Sequence, residues 1–176
     1  MTKTKWAVDT AHSSVDFSVK HMMIANVKGT FNEFSAEIDA DPNDLTTADI
    51  SFSIDTASID TRNEDRDNHL RSADFFDVEN FPKLTFKATE IVSNGDGEYE
   101  LQGDLTIRGV TRKESFTVKF EGQGKDPWGN EKVGFSANGK IKRSDYGLTW
   151  NAALETGGVL VGDQIKISLE IQAAKA

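Results

Sequence analysis

The chain contains no cysteine, which excludes disulfides, zinc-thiolate sites and thiol catalysis and is compatible with any redox compartment. No apolar run approaches the roughly 20 residues that a membrane-spanning helix requires. Positive charge is in deficit: the 176 residues carry a formal charge of -9 and a sequence pI near 4.8. The lysines and arginines are scattered along the chain instead of clustered with aromatics. Nucleic acid is therefore not an expected partner, and an anionic membrane surface is disfavoured for the same reason. Histidine occurs only at positions 12, 21 and 69, too far apart to form a local metal motif. The opening MTKTKWAVDT goes almost directly into a strand-like pattern with no apolar leader, so the cytoplasm is the expected compartment. No composition shift or Pro/Ser-rich linker divides the chain, and one domain over residues 1–176 is expected.

What the chain does contain is hydrophobic alternation with period two, the signature of strands with one buried face. A short first strand covers residues 5–9. Val15, Phe17 and Val19 share a phase that His21 continues. Val27, Gly29 and Phe31 hold one phase while Phe34, Ala36 and Ile38 hold the other, so a bulge or bend is expected near Asn32 and Glu33. The turn Asp41-Pro42-Asn43-Asp44 leads to Ile50, Phe52 and Ile54. Further strands carry Leu84, Phe86 and Ala88; Tyr99, Leu101, Gly103, Leu105 and Ile107; Phe116, Val118 and Phe120; Val133, Phe135, Ala137, Gly139 and Ile141; and Ile165, Ile167, Leu169 and Ile171. Hairpin turns are read at residues 94–97 and at Arg108-Gly109-Val110. Glycines inside strands suit a tightly curving sheet.

Residues 61–86 break this rhythm. Thr61 with Glu64 fits a capping box and begins a short helix whose first turn is acidic. Asp67 and Arg71 are expected on its exposed face, and Leu70 with Ala73 on a small apolar edge. The acidic cluster Asp60, Glu64, Asp65 and Asp67 lacks the alternating ligands and central glycine of a calcium loop, so no metal site is read there. His69 is read as a surface residue. Phe75, Phe76 and Phe81 form a hydrophobic plug that also offers ligand contacts, and Pro82 ends the segment. A second irregular stretch, residues 144–163, carries Tyr146, Leu148, Trp150 and Leu154 and is expected to fold over one opening as a long loop or short helix.

These runs predict an all-β fold, a single antiparallel eight-stranded lipocalin-like barrel. The short helix lies between the fourth and fifth main strands and the long connection before the last. Closure removes exposed edges, and a barrel of eight strands is either filled by side chains or able to hold one small ligand. Nucleophile and phosphate motifs are missing. Gly134-Phe135-Ser136-Ala137-Asn138-Gly139 lacks the glycine two residues after the serine and reads as strand. Residues 156–162 have glycines without a following Lys-Ser or Lys-Thr and read as a turn. Candidate lining residues are Phe17, Val19, Phe52, Ile54, Phe86, Leu105, Phe116, Phe120, Phe135 and Ile141 from the inward phases, with Phe75 and Phe76 from the plug. His21, Arg108 and Trp150 are candidates for polar or amphipathic contacts at the ends.

Several pieces in combination resemble the YceI-like family of polyisoprenoid-binding, lipocalin-like proteins. They are Asp9 with His12 and Ser13, residues 17–21, Val27 with Gly29 and Phe31, Ser72-Ala73-Asp74-Phe75-Phe76-Asp77 with Phe81-Pro82, the run from Leu105 through Thr111, and Gly162-Asp163. The resemblance implies an elongated antiparallel barrel with a helix packed at its side or end. Its tunnel would hold an isoprenoid or similar long apolar chain, often in a homodimer, with no established catalysis, cofactor or metal. Three readings follow: a carrier of a long-chain lipid, an enzyme acting on an apolar substrate in the same cavity through a carboxylate and His21, and a ligand-free interaction protein.

Overall fold

The computed structural model describes residues 3–22, 24–151 and 161–176. Eleven strands are resolved among them: β1 (Thr4–Val8), β2 (Ser14–His21), β3 (Ala25–Phe31), β4 (Phe34–Asp41), β5 (Asp44–Asp55), β6 (Ile59–Asp60), β7 (Lys83–Gly95), β8 (Glu98–Ile107), β9 (Val110–Lys125), β10 (Glu131–Lys142) and β11 (Val161–Lys175). They form one antiparallel sheet that closes through a pairing of β1 with β11. Two pairs of short strands each act as one broken strand. On β11, Glu170 faces Ser14 of β2 while Ala173 faces Val8 of β1. On the other side β2 pairs with β3 and β1 with β4. Since β6 pairs with β3 as β5 pairs with β4, β6 continues the course of β5; the wall therefore has eight positions, and the closed antiparallel eight-stranded barrel expected from the alternation is the observed fold.

Both breaks have local causes. Asp9 caps a one-turn 3-10 segment at residues 10–12, its carboxylate accepting from the Ala11 N–H at 3.1 Å and meeting His12 Nδ1 at 2.7 Å. Ser13 then ties back to β11 by donating to the Gln172 carbonyl and accepting from its N–H. The second break falls at Asn32 and Glu33, where the apolar phase changes from Phe31 to Phe34. Hairpins join β2 to β3, β4 to β5, β7 to β8, β8 to β9 and β9 to β10. Asn43 N–H bonds the Asp41 carboxylate at 2.9 Å, and Arg108 and Gly109 take φ values of 52° and 75° in the turn joining β8 to β9. Only a left-handed pair matches the strand twist there.

A helix, α1 (Glu64–Arg71), lies between β6 and β7. Its cap is Asn63, whose side chain accepts from the Arg66 N–H, and not Thr61. Thr61 and Asp67 are instead both buried, at 4% and 7% exposure, and the Asp67 carboxylate accepts from the Thr61 N–H at 2.9 Å and from its hydroxyl. The expectation that Asp67 faces water is thereby corrected. Spacing on a helix says which residues share a face, but not what the neighbouring chain presents to it. Arg71 likewise turns back, donating to the Ala57 and Ile59 carbonyls and fixing α1 against β6.

Replacing Asp67 with alanine leaves the buried Thr61 donors unpaired and should cost about 2 kcal/mol. Asp65→Ala, in the exposed first turn, should stay within about 0.5 kcal/mol. Urea unfolding of the two variants checks the difference, and equal losses would contradict the anchoring role.

Candidate functional site: an apolar barrel lumen

The inward residues enclose a cavity of about 200 Å³ whose exposed wall is entirely hydrocarbon. On β8 the lining runs from Tyr99 to Ile107, about 20 Å along the axis after allowing for strand tilt. At one end the wall is backed by Trp6, Val133 and Ala173, with the Trp6 indole donating to the Ala40 carbonyl at 3.2 Å. At the other, partly open end Leu70, Phe75 and Phe76 from α1 and the turn after it, together with Leu148, border and partly cover the lumen.

Glycines decide where the aromatic rings go. A Cβ at Gly29 would fall 2.4 Å from the ring of Phe17, at Gly103 2.5 Å from that of Phe86, and at Gly139 2.3 Å from that of Phe116. Each phenylalanine thus lies against a bare stretch of neighbouring backbone instead of projecting across the barrel. The rings also contact one another edge-on, with Phe86 and Phe116 centroids 5.3 Å apart at 89°.

Of the residues singled out from sequence, Phe17 and Val19 on β2, Phe52 and Ile54 on β5, Phe86 on β7 and Leu105 on β8 line the cavity. So do Phe116 on β9, Phe135 and Ile141 on β10, and Phe75 and Phe76 beyond α1. Four lie elsewhere. Phe120 stacks on Phe135 at 5.5 Å in the cluster behind the closed end. Arg108 is consumed in its hairpin turn. His21 closes β2 opposite Ala25 and Val161. Trp150 packs outside the cap against His69 at 4.7 Å and Phe75 at 5.4 Å. His69, expected at the surface, is half-buried in this cluster and bonds Asp74 at 2.9 Å. Leu154 and most of the expected glycine-rich turn at 156–162 lie outside the described residues.

Arg143 was missed by sequence reasoning. It is 5% exposed, borders the lumen, and makes no ion pair with a carboxylate among the described residues. Its guanidinium donates to four backbone carbonyls, those of Leu148, Trp150, Val161 and Gly162. Burial pushes its pKa down, partly offset by the nearby Asp163, and an arginine stays charged through such a shift. Asp163 itself holds Ser144 through both N–H and hydroxyl. The fully buried Tyr146 donates to Glu114 at 2.5 Å, and burial followed by that hydrogen bond raises its pKa. These polar groups are satisfied within the wall of the barrel, so they brace the opening and leave the lumen surface apolar. No group of His, Asp or Glu residues with metal-site geometry occurs among the described residues, nor does a helix long and apolar enough to cross a membrane.

The YceI-like domain model matches residues 6–173. The chain belongs to the YceI-like family. A UPF0312 protein of Staphylococcus epidermidis is 48% identical over 164 residues, 93% of each chain, and one of Staphylococcus aureus is 43% identical over the same share. Among solved structures, Burkholderia cenocepacia BcnA superposes with a TM-score of 0.82 at 27% identity, covering 94% of this chain and 98% of its own. The Campylobacter jejuni YceI protein gives 0.77 at 36% identity over 89% and 90%. A polyisoprenoid binding domain from Saccharophagus degradans gives 0.75 at 13% identity over 98% and 99%, a likeness of fold alone.

The pairing of Gly139 with Phe116 is directly testable. Gly139→Ala should destabilise the YceI-like barrel by about 1–3 kcal/mol as the ring is forced off the wall, whereas Gly134→Ala, whose Cβ would meet only Glu121 at 3.9 Å, should change little. Adding Phe116→Ala to Gly139→Ala should remove most of the penalty that Gly139→Ala adds. Additive losses in denaturant unfolding would contradict the contact.

Proposed function

We propose that this YceI-like protein binds one long apolar chain, a polyisoprenoid or a comparable lipid tail, in its lumen and carries it without chemical change. The observation behind this reading is the elongated hydrocarbon-walled cavity, bordered at its partly open end by Leu70, Phe75 and Phe76 and continuous with the inward faces of the barrel. Its volume exceeds the roughly 150 Å³ of apolar cavities that stay dry and admit benzene. A ligand in such a site gains on the order of 0.3 kcal/mol per heavy atom, so affinity grows with the length of chain enclosed and needs no charged anchor. The polyisoprenoid binding named for the Saccharophagus degradans domain and the family membership support the choice of ligand class. A homodimer of such barrels belongs to the same reading and is carried by family resemblance alone.

Protein purified without detergent and extracted with organic solvent should yield a stoichiometric lipid by mass spectrometry, and delipidated protein should take up an isoprenoid on titration. Ala137 lines the lumen, and Ala137→Phe should lower that uptake at least about tenfold by occupying the path of the chain. An empty extract with no uptake by the unsubstituted protein, or full uptake by the Ala137→Phe variant, would overturn the carrier reading.

A further inference from the structure

The lysines that look scattered in sequence are brought together by the sheet. Along β2, β3, β10 and β11 the side chains between the lumen-facing residues point outward. In one cross-strand row Lys140 faces Lys166, Lys166 faces Ser18, and Ser18 faces Lys28. One row nearer the open end stand Lys142, opposite Gln164, and Lys20, opposite Asn26. All five lysines are exposed, and none makes an ion pair among the described residues. By register the nearest carboxylates are Asp16 and Glu170, in the next rows toward the closed end, and that of Asp60 on β6, which lies opposite Thr30 and accepts from Asn32 and the Arg62 N–H. Asp163 and Asp145 lie at the open end, the former held by Ser144. A protein of charge -9 thus concentrates five unpaired cations on one side of its open end.

The same four-strand face ends in an apolar tip. The β2–β3 hairpin exposes Ile24 at 81% and Met22 at 45%, and its turn is closed by the Ile24 N–H donating to the His21 carbonyl at 3.3 Å. Exposed aliphatic residues at a loop tip beside a field of lysines form the pattern of a peripheral membrane contact. The apolar residues enter the headgroup boundary while the flexible cationic stems meet anionic lipid. A nucleic acid would satisfy the lysines but not the aliphatic tip, and a second copy of this chain docked face to face about a two-fold axis would set the same lysines against one another. Residues flanking the lysines on the same strands, Val19, Ile141 and Ile165, face the lumen, so this face is the outer surface of the wall next to the cavity's open end.

We propose that Lys20, Lys28, Lys140, Lys142 and Lys166, with Met22 and Ile24, form a docking surface for an anionic lipid bilayer. It would place the open end of the barrel against the membrane for loading and release. The inference extends the carrier reading but stands on a different face of the molecule. Lipid extraction reports on the lumen and vesicle binding on this surface, so either can fail without the other.

Flotation of the intact protein with phosphatidylcholine vesicles containing about a third phosphatidylglycerol tests it, with pure phosphatidylcholine vesicles as the comparison. Binding should be confined to the anionic vesicles and weaken as salt screens it. The triple variant Lys28→Gln, Lys140→Gln, Lys166→Gln should lose about a hundredfold in partitioning, on the basis of about fivefold per lysine. Lys5→Gln, Lys87→Gln, Lys125→Gln, exposed positions elsewhere on the barrel, makes the same change in net charge and should bind like the unsubstituted protein. Met22→Ser with Ile24→Ser should weaken binding without changing its preference for anionic lipid. Equal binding to neutral and anionic vesicles, equal losses in the two triple variants, or no vesicle binding at all would overturn the proposal. So would a dimer that falls apart in the Met22→Ser, Ile24→Ser variant while vesicle binding persists, since the tip would then be an interface between copies.

Discussion

The seating of phenylalanine rings on glycine backbone is the contact on which the rest of the barrel depends. Eight strands close around an interior that side chains can fill completely, and this chain supplies many phenylalanines to fill it. Phe86 and Phe116 touch edge-on, and Gly29, Gly103 and Gly139 let Phe17, Phe86 and Phe116 each lie back on the adjoining strand. A β-carbon at any of these glycines would push a ring inward. The packing of the wall and the vacancy of the lumen are thus two results of one arrangement, in which aromatic area stabilises the sheet without occupying its axis.

Buried polar groups are used in the same economical way. Arg143 and Asp67 are buried side chains of charged type, and each is satisfied by backbone or hydroxyl groups of neighbouring segments. Asp67 holds Thr61 and so sets the start of α1. Arg143 gathers carbonyls from both sides of the connection between β10 and β11. Removing either would strand several partners, which is the costly way to break a buried polar cluster. Neither leaves a polar atom exposed to the lumen, so the elements that frame the mouth are fixed by polar contacts while the cavity stays hydrocarbon.

Strand number, closure and nine of the lining residues could be read from alternation alone, because period two assigns each residue to a face regardless of what lies opposite; Phe75 and Phe76 came from the aromatic segment that breaks it. The phase change between Phe31 and Phe34 also reported a real break in a strand. Where the reading missed, the deciding information came from another part of the chain. The helix spacing of Asp67 did not show the Thr61 donors that bury it. The phase of Phe120 did not show that its strand outruns the cavity. Arg108 and Trp150 were placed near the ends by sequence, but a hairpin turn takes one and an aromatic stack outside the cap takes the other. Arg143 follows the strand and ahead of the loop carried no signal, since its partners are backbone atoms. The lysines are the clearest case. They lie at positions 20, 28, 140, 142 and 166, a spacing that reads as scatter until the β10–β11–β2–β3 register sets them side by side.

The most direct test of the central claim is a crystal structure of the protein purified from cells without detergent. A continuous tube of density from linear hydrocarbon should run past Phe86, Phe116 and Ile165, with the ring of Phe116 still resting on Gly139. A lumen filled by the protein's own side chains, with that ring swung off the wall and no path for a chain, would contradict the account.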